Sequence, residues 1–320
     1  MTMGSVDRVQ GAITRRGWLL FGLMGIVWGL PYLLIKVAVK HLEPPVIVFG
    51  RTSLAALVLT IIAARAGALR PALAHWRIVV TFAAIEMAGP WWLLTDAERT
   101  LPSGLTGLLV ACVPIVGAIV AYVLGDRSAL RPLRVFGIGC GLGGVALLVG
   151  HDLGGSNGIP WRSVIQVLAV CVGYATAPFI ASRRLADVPT LGVIALSLGA
   201  VAIAYAPWAW LSRPDVAPPG RAWLAVLTLA VVCTGVAFVA FFALIGEVGP
   251  ARATFITFIN PAVAVVLGAL LLHERITAAT IAGFALVLGG CWFATRPTRD
   301  ATPMGERVSE PEGVAAADAG

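Results

Sequence analysis

The chain has 320 residues, of which 59% are hydrophobic and 12% are charged, and its formal net charge is +7. A typical soluble domain contains about 25% charged residues, so this composition excludes an ordinary soluble enzyme, a disordered scaffold and a secreted disulfide-rich protein. The basic residues lie in short gaps between apolar runs and form no basic face, which argues against nucleic-acid binding. This much apolar surface needs lipid around it, and we therefore expect a membrane protein.

Ten apolar stretches follow one another along the chain, and each is close to the length of about 20 residues that a helix needs to cross a bilayer. Their approximate ranges are 17–37, 44–64, 77–96, 103–124, 132–150, 162–181, 190–210, 222–244, 251–271 and 277–294. Because the sequence lacks the period-two alternation of a membrane barrel, the spans are predicted to be helices. Residues 1–13 are then an N-terminal tail, and residues 297–320 are predicted to be a disordered C-terminal tail.

The distribution of Lys and Arg predicts how these spans are oriented. If the N-terminus lies inside, the inner segments carry 15 of the 23 basic residues and the outer segments carry six. This asymmetry satisfies the positive-inside rule and places both termini in the cytoplasm. Arg outnumbers Lys by 21 to 2, which is typical of a GC-rich bacterial genome and favours a bacterial inner membrane.

The two halves of the chain resemble each other at an offset of 146–148 residues. The matched positions are Trp28-Gly29 with Tyr174-Ala175, Pro114 with Pro261, Asp126-Arg127 with Glu274-Arg275, and Gly137, Gly143 and Gly144 with Gly283, Gly289 and Gly290. The first repeat covers about residues 14–150 and the second about 160–296, with five spans in each. Since five is odd, the second repeat enters the membrane upside down. Inverted repeats are typical of secondary transporters, whose substrate site lies near the midplane between the repeats.

Several short motifs carry a resemblance to a known family. They are Trp28-Gly29, Pro44-Pro45 with Arg51, residues 97–105 (AERTLPSGL), Val113-Pro114, Gly125-Asp126-Arg127, residues 249–253 (GPARA), Asn260-Pro261 and His273-Glu274-Arg275. As a set they resemble the drug/metabolite transporter superfamily, and the chain looks like a bacterial transporter with two EamA-type repeats. The resemblance implies an all-α fold of ten helices around a central cavity and transport of small organic solutes, often export. Asn260 departs from the family pattern, in which an acidic residue commonly precedes the proline.

Two ionisable residues inside the predicted spans are candidates for the substrate pathway. Glu86 lies about ten residues, or roughly 15 Å, from the inner end of the third span, and Arg51 lies roughly 10 Å from the outer end of the second. Charges at such depths are costly and are usually functional. We hypothesise that Glu86 faces a cavity and pairs with Arg51, although a buried pair could also serve only helix packing. At the outer end of the third span, Asp96, Glu98 and Arg99 are interpreted either as solvated end charges or as an outer gate.

Aromatic, amide and proline residues inside the spans complete the predicted pathway. Trp28, Trp91 and Tyr174 each carry a polar tip that needs a partner, so they are expected either to line a cavity or to pack against lipid and neighbouring helices. Asn260 joins them as a pathway residue through its place in the family motif. Pro114 and Pro261 are predicted to kink their helices, because proline removes a backbone hydrogen bond.

The sequence contains no feature that calls for a cofactor or metal. Its five cysteines lie far apart in separate apolar runs, so each is expected to pack as a small hydrophobic residue. No zinc-protease, nucleophile-elbow or Walker motif occurs, and we therefore expect no enzymatic activity and no ATP-driven step. The expected partners are a small-molecule substrate and the lipid bilayer. The driving force is either a proton antiport step, with protons as the coupling ion, or simple facilitated movement.

The sequence therefore predicts a secondary transporter of a small organic metabolite, an amino-acid-like solute or a drug, working outward by alternating access. A passive solute pore is the first alternative. A membrane-embedded lipid-modifying enzyme is the second, although the clustered His and carboxylate residues that it needs are not evident. The substrate and the coupling ion cannot be read from the pattern.

Overall fold

The computed structural model describes residues 13–123, 132–153, 160–248, 253 and 256–295. All regular elements in this part of the chain are helices. In chain order they are α1 (Arg15–Val27), α2 (Leu30–Ala38), α3 (Pro44–Arg65), α4 (Leu69–Ala74), α5 (Trp76–Ala83), α6 (Gly89–Ala97), α7 (Ser103–Val110), α8 (Val113–Val123), α9 (Pro132–Leu153), α10 (Trp161–Arg184), α11 (Thr190–Leu211), α12 (Gly220–Ala230), α13 (Ala237–Val248), α14 (Ile256–Leu272) and α15 (Ala278–Thr295). Short π-helical segments join α5 to α6 and α12 to α13. Apart from residue 13, the predicted N-terminal tail lies outside the described residues, as does the C-terminal tail.

The apolar helices coincide with the predicted spans. Seven are long and apolar enough to cross a membrane: Arg15–Ala38, Pro44–Arg65, Trp76–Ala97, Ser103–Val123, Trp161–Arg184, Thr190–Leu211 and Gly220–Val248. Pro132–Leu148, Ile256–Leu272 and Ala278–Phe293 are shorter apolar helices at the three remaining predicted positions. The all-helical, multi-pass architecture is confirmed, whereas the count of ten membrane crossings stays a prediction.

Large apolar side chains cover much of the helical surface. Ile203 is 77% exposed and Leu270 is 67% exposed, and many other aliphatic and aromatic residues behave in the same way. Soluble monomers rarely expose such extensive apolar surface. These side chains therefore need a hydrocarbon solvent, as the composition indicates.

The matched glycines show how the two halves are related. Helices α9 and α15 pack closely along their length. A Cβ atom at Gly290 would lie 2.6 Å from the carbonyl oxygen of Gly137, and one at Gly144 would lie 2.9 Å from that of Gly283. Gly137 matches Gly283 and Gly144 matches Gly290, so replacing each glycine of the first contact by its counterpart gives the second contact. This is the reciprocity of a two-fold interface. The two equivalent helices run antiparallel, in agreement with an inverted repeat.

Other helix contacts follow the same pseudo-symmetry. Helix α1 packs on α13 and α14 of the second half, and the equivalent α10 packs on α6 and α8 of the first. Helix α3 packs on its own counterpart, α11. Each half therefore completes its packing only against the other, and the middle of the bundle lies between them.

Candidate functional site

A buried arginine joins the two halves in the middle of the bundle. Arg51, on α3, is only 9% exposed. Its Nε donates a hydrogen bond to the Thr234 hydroxyl oxygen at 2.9 Å, and that hydroxyl donates to the carbonyl oxygen of Leu229 at 2.8 Å. The guanidinium carbon also lies 3.7 Å from the centre of the Trp91 ring. Cation–π stacking and a hydrogen bond therefore hold a positive charge between the halves.

The helices beside Arg51 depart from α-helical geometry at equivalent places. The segment Ala84–Ala88 in the first half and the segment Val231–Val236 in the second are both π-helical. An offset of 147 residues, within the range of the sequence repeat, superimposes these segments. Glu86 lies in the first and Thr234 in the second. Short π-helical segments are frequent at functional sites because they loosen the backbone hydrogen-bond ladder and redirect side chains.

Glu86 does not form the hypothesised ion pair. Within the described residues, no oxygen of Glu86 lies within 4.0 Å of an Arg51 nitrogen. The Arg51 guanidinium is instead turned toward Thr234 of the second half and Trp91 of the first. Glu86 is half-buried, and its Oε2 has no hydrogen-bond partner in the described part of the chain. The pairing hypothesis was therefore wrong, and the two charges remain separately available.

Tyr174 is a neighbour of both Arg51 and Glu86. It is half-buried on α10, and both Arg51 and Glu86 lie within electrostatic range of its hydroxyl group. Its ring packs against both of the larger buried clusters of the bundle. The structure thus brings together four of the predicted pathway residues: Arg51, Glu86, Trp91 and Tyr174.

The remaining pathway candidates have other surroundings. Trp28 packs on α13, with its ring centre 4.7 Å from that of Phe241. The Asn260 amide, oriented so that its nitrogen faces acceptors, donates to the carbonyl oxygens of Gly25 and Ile256, both at 3.0 Å. One of these hydrogen bonds joins α14 to α1, so Asn260 stabilises the packing between the two halves.

The two matched prolines, Pro114 and Pro261, lie at different places in their helices. Residues 111 and 112 interrupt the fourth span just before Pro114, whereas Pro261 lies inside the continuous helix α14. At the interruption, the Cys291 thiol donates to the carbonyl oxygen of Ala111 at 3.1 Å, and the Cys171 thiol donates to that of Leu109 at 3.4 Å. Both thiols come from the second half. These cysteines therefore serve as weak hydrogen-bond donors as well as small packing groups.

Polar side chains also join the halves at the outer end, the end that carries residues 98–102 in the predicted orientation. Asp96 accepts hydrogen bonds from Arg162 at 3.0 Å and from Gln166 at 2.7 Å, both on α10. Within the first half, Arg99 forms two hydrogen bonds with Glu43, at 2.9 and 3.1 Å. Glu98 differs from both neighbours because its side chain is fully buried. Its interpretation as a solvated end charge was therefore wrong.

Glu274 closes the same end across the repeat interface. Its carboxylate accepts hydrogen bonds from the backbone N–H groups of Ser103 at 2.7 Å and Gly104 at 2.9 Å. These groups belong to the N-terminus of α7, where a negative charge is stabilised by otherwise unpaired donors and by the helix dipole. The motif His273-Glu274-Arg275 singled out this residue in the sequence, but its target on the other half could not be inferred.

Replacing Glu274 by Gln is expected to destabilise the protein by about 1–3 kcal/mol, because the two charge-assisted hydrogen bonds are weakened in a part-buried setting. Thermal unfolding of the purified protein in detergent measures this effect. Glu43→Gln is the matched control: Glu43 is half-exposed, so the loss of its ion pair should cost less than about 1 kcal/mol. Equal unfolding temperatures for the two variants would contradict the structural role of Glu274.

Comparisons with known proteins agree with the repeat and the fold. A model of the EamA-like transporter family matches residues 15–150 and again residues 161–296. The uncharacterized inner membrane transporter YedA of Escherichia coli (strain K12) is 28% identical over 246 residues, which cover 76% of this chain and 78% of the relative. A solved crystal structure, 23% identical, superimposes with a TM-score of 0.61 and covers 87% of this chain and 96% of the other.

Two further relatives have names that state a cargo. The aromatic amino acid exporter YddG of Ancylobacter novellus is 34% identical over 158 residues, about half of each chain (49% and 50%). A probable amino-acid metabolite efflux pump of Salmonella typhimurium is 24% identical over 307 residues, which cover 92% of this chain and 100% of the relative.

Proposed function

Because this chain belongs to the EamA-like transporter family, we propose that it is a secondary transporter that exports a small organic metabolite, an amino-acid-like solute or a drug by alternating access. Its ten spans form two inverted repeats, residues 14–150 and 160–296, with both termini in the cytoplasm and the bundle in the bacterial inner membrane. The antiparallel packing of α9 on α15 supports this topology. The names of the exporter and efflux-pump relatives support the direction and the class of cargo.

The observation that carries the proposal is the presence, between the halves, of a guanidinium group and a carboxyl group that do not pair with each other. The terminal nitrogens of Arg51 make no hydrogen bond with any described residue, and Glu86 keeps one oxygen unpartnered. A solute with a carboxylate could bind the first group, and one with an ammonium could bind the second. Trp91 and Tyr174 add apolar rings on which the body of such a solute could pack. Since Arg51 belongs to the first half and Tyr174 to the second, a ligand that binds both side chains would contact both repeats.

Replacing Glu86 by Gln keeps the shape of the side chain and removes its charge. We expect wild-type cells that overexpress the chain to accumulate at least one solute in the medium, and Glu86→Gln cells to lose most of this accumulation. Comparative metabolite profiling of cells and medium makes the measurement. Glu43→Gln removes an exposed carboxylate of the outer surface and should export like the wild type.

The same profiling tests the proposal itself. If a correctly inserted wild-type chain shifts no solute in either direction, transport by this protein is unsupported. A solute that only runs down its own gradient, at the same rate in both variants, would favour a passive pore. Accumulation of a solute against its gradient in the wild type alone supports active export.

A further inference from the structure

Glu98 is a fully buried carboxyl group at the outer end of the bundle. It follows directly after α6 and is 0% exposed. Neither of its carboxylate oxygens has a hydrogen-bond partner within the described part of the chain. An ionised carboxylate in such a place would lose its hydration without compensation, so its neutral, protonated form is strongly favoured.

The nearest cation does not neutralise Glu98. The Lys36 ammonium donates to the backbone carbonyl oxygen of Glu98 at 2.7 Å and to that of Leu101 at 2.8 Å. No ion pair within 4.0 Å joins this ammonium to the Glu98 carboxylate among the described residues. Lys36 is thus committed to the backbone that connects α6 to α7, and the carboxyl group beside it is left without a counter-ion contact.

The groups that face Glu98 come from several elements. Tyr32 and Lys36 on α2 lie within electrostatic range, and Glu274 approaches from the segment after α14. On its own segment, the neighbouring charges Asp96 and Arg99 are engaged with other partners at the surface. Burial raises the pKa of Glu98 well above its ordinary value, the positive charge of Lys36 opposes this shift, and the negative charge of Glu274 adds to it.

A cavity of about 190 Å³ also borders Lys36. Its lining residues are Lys36, Lys40, Thr100, Pro102, Leu272 and Glu274. Lys36 and Lys40, the two lysines of the chain, therefore line this cavity together with Glu274, which accepts hydrogen bonds from the N-terminus of α7 in the other repeat. Any opening that parts Glu274 from α7 would also disturb the connection that buries Glu98.

We propose that Glu98 is a proton-binding site of the outer gate, occupied while the outer end is closed and emptied into the outer cavity when that end opens. The step is a simple proton transfer: water entering the cavity takes the carboxyl proton, and the carboxylate that remains is hydrated. Because the closed form binds this proton more tightly, an acidic outer medium favours closure and an alkaline one favours opening. The inference rests on the proposed alternating-access cycle, because it assigns the bound proton to the state of that cycle in which the outer end is closed.

Infrared spectroscopy of the purified protein in lipid vesicles tests the protonation directly. Glu86 also has an unpartnered buried carboxyl oxygen, so the comparison is made in the Glu86→Gln background. At neutral pH we expect the C=O stretch of a protonated carboxyl group in Glu86→Gln and the loss of this band when Glu98→Gln is added. Glutamine has the shape of the protonated glutamate, so this variant should fold. An unchanged protonated-carboxyl band after Glu98→Gln is added would overturn the proposal.

Thiol labelling tests the link between this proton and the gate. A cysteine in place of Leu272 reports access to the outer cavity, and one in place of Val216, which is 81% exposed, reports the pH dependence of the reagent itself. With an impermeant reagent, the labelling rate at 272 relative to 216 should rise up to tenfold for each unit of external pH, as expected for one coupled proton. In Glu98→Gln the ratio should be low and independent of pH, whereas a wild-type slope in that variant would contradict the coupling.

The two proposals can fail separately. The infrared band and the labelling ratio require no substrate, so their absence would overturn the role of Glu98 and leave the transport proposal standing. Absence of solute movement by the wild type in the metabolite profile would overturn the transport proposal even if Glu98 is protonated. The parent chain without the introduced cysteines serves as the labelling blank, since four of its native cysteines are buried and Cys140 is half-buried.

Discussion

Replacing Arg51 by Lys is expected to lower the transport rate at least tenfold, equivalent to about 1.4 kcal/mol, although the positive charge is kept. The planar guanidinium lies 3.7 Å from the centre of the Trp91 ring and donates through Nε to Thr234. A lysine ammonium cannot stack in this way while presenting further donors to a ligand, because its charge is compact and its donors are not coplanar. The measurement is solute flux in vesicles containing equal amounts of folded protein.

The same substitution at an exposed site provides the control. Arg162 pairs with Asp96 at the outer surface, and its side chain is 74% exposed. Arg162→Lys should therefore transport nearly as well as the wild type, since exposed ion pairs contribute less than about 1 kcal/mol. Equal rates for Arg51→Lys and Arg162→Lys would show that the geometry at Arg51 is irrelevant to the cycle.

Replacing Gly290 by Ala is expected to destabilise the bundle by about 1–3 kcal/mol. A Cβ atom there would meet the backbone nitrogen of Gly141 at 2.5 Å and the carbonyl oxygen of Gly137 at 2.6 Å. Both contacts are to backbone atoms, so α9 and α15 must move apart to accept a single methyl group. The midpoint of thermal unfolding in detergent and the yield of folded protein measure the effect.

The neighbouring glycine separates this contact from helix propensity. A Cβ atom at Gly289 would meet nothing within 4 Å. Gly289→Ala should therefore be neutral or slightly stabilising, because alanine favours a helix by about 1 kcal/mol over glycine. If both alanine variants unfold at the same temperature, the close approach of these helices does not limit stability.

The inverted architecture was predictable because its signals are local or periodic. Hydropathy placed each of the ten helical segments, and the matched glycines indicated two equivalent halves. The structure added that Gly137 and Gly144 contact the counterparts of each other, which shows antiparallel packing. Sequence identity between the halves could not reveal the paired π-helical segments, since residues 84–88 and 231–235 share no identical residue at this offset and backbone geometry leaves no clear residue signature.

The candidate site was predicted only in part. Depth in the membrane selected Arg51 and Glu86 as candidates, and the structure places Trp91 and Tyr174 near them, while their role in a substrate pathway stays a prediction. Their mutual pairing was wrong, because depth fixes only the position along a helix axis and leaves its rotation open. Thr234 was missed altogether, since a threonine in an apolar run gives no signal that it faces a charge.

The sequence by itself determined that the chain is a helical membrane protein built from two related halves. An apolar segment of about 20 residues has only one stable form in lipid, a helix that satisfies its own backbone. Tertiary structure alone decided which charges meet. Glu274 caps a helix that begins 171 residues before it, and Glu98 is buried between neighbours that its position in the chain places at the membrane surface. Such contacts depend on how distant helices rotate and cross, and no local pattern contains that information.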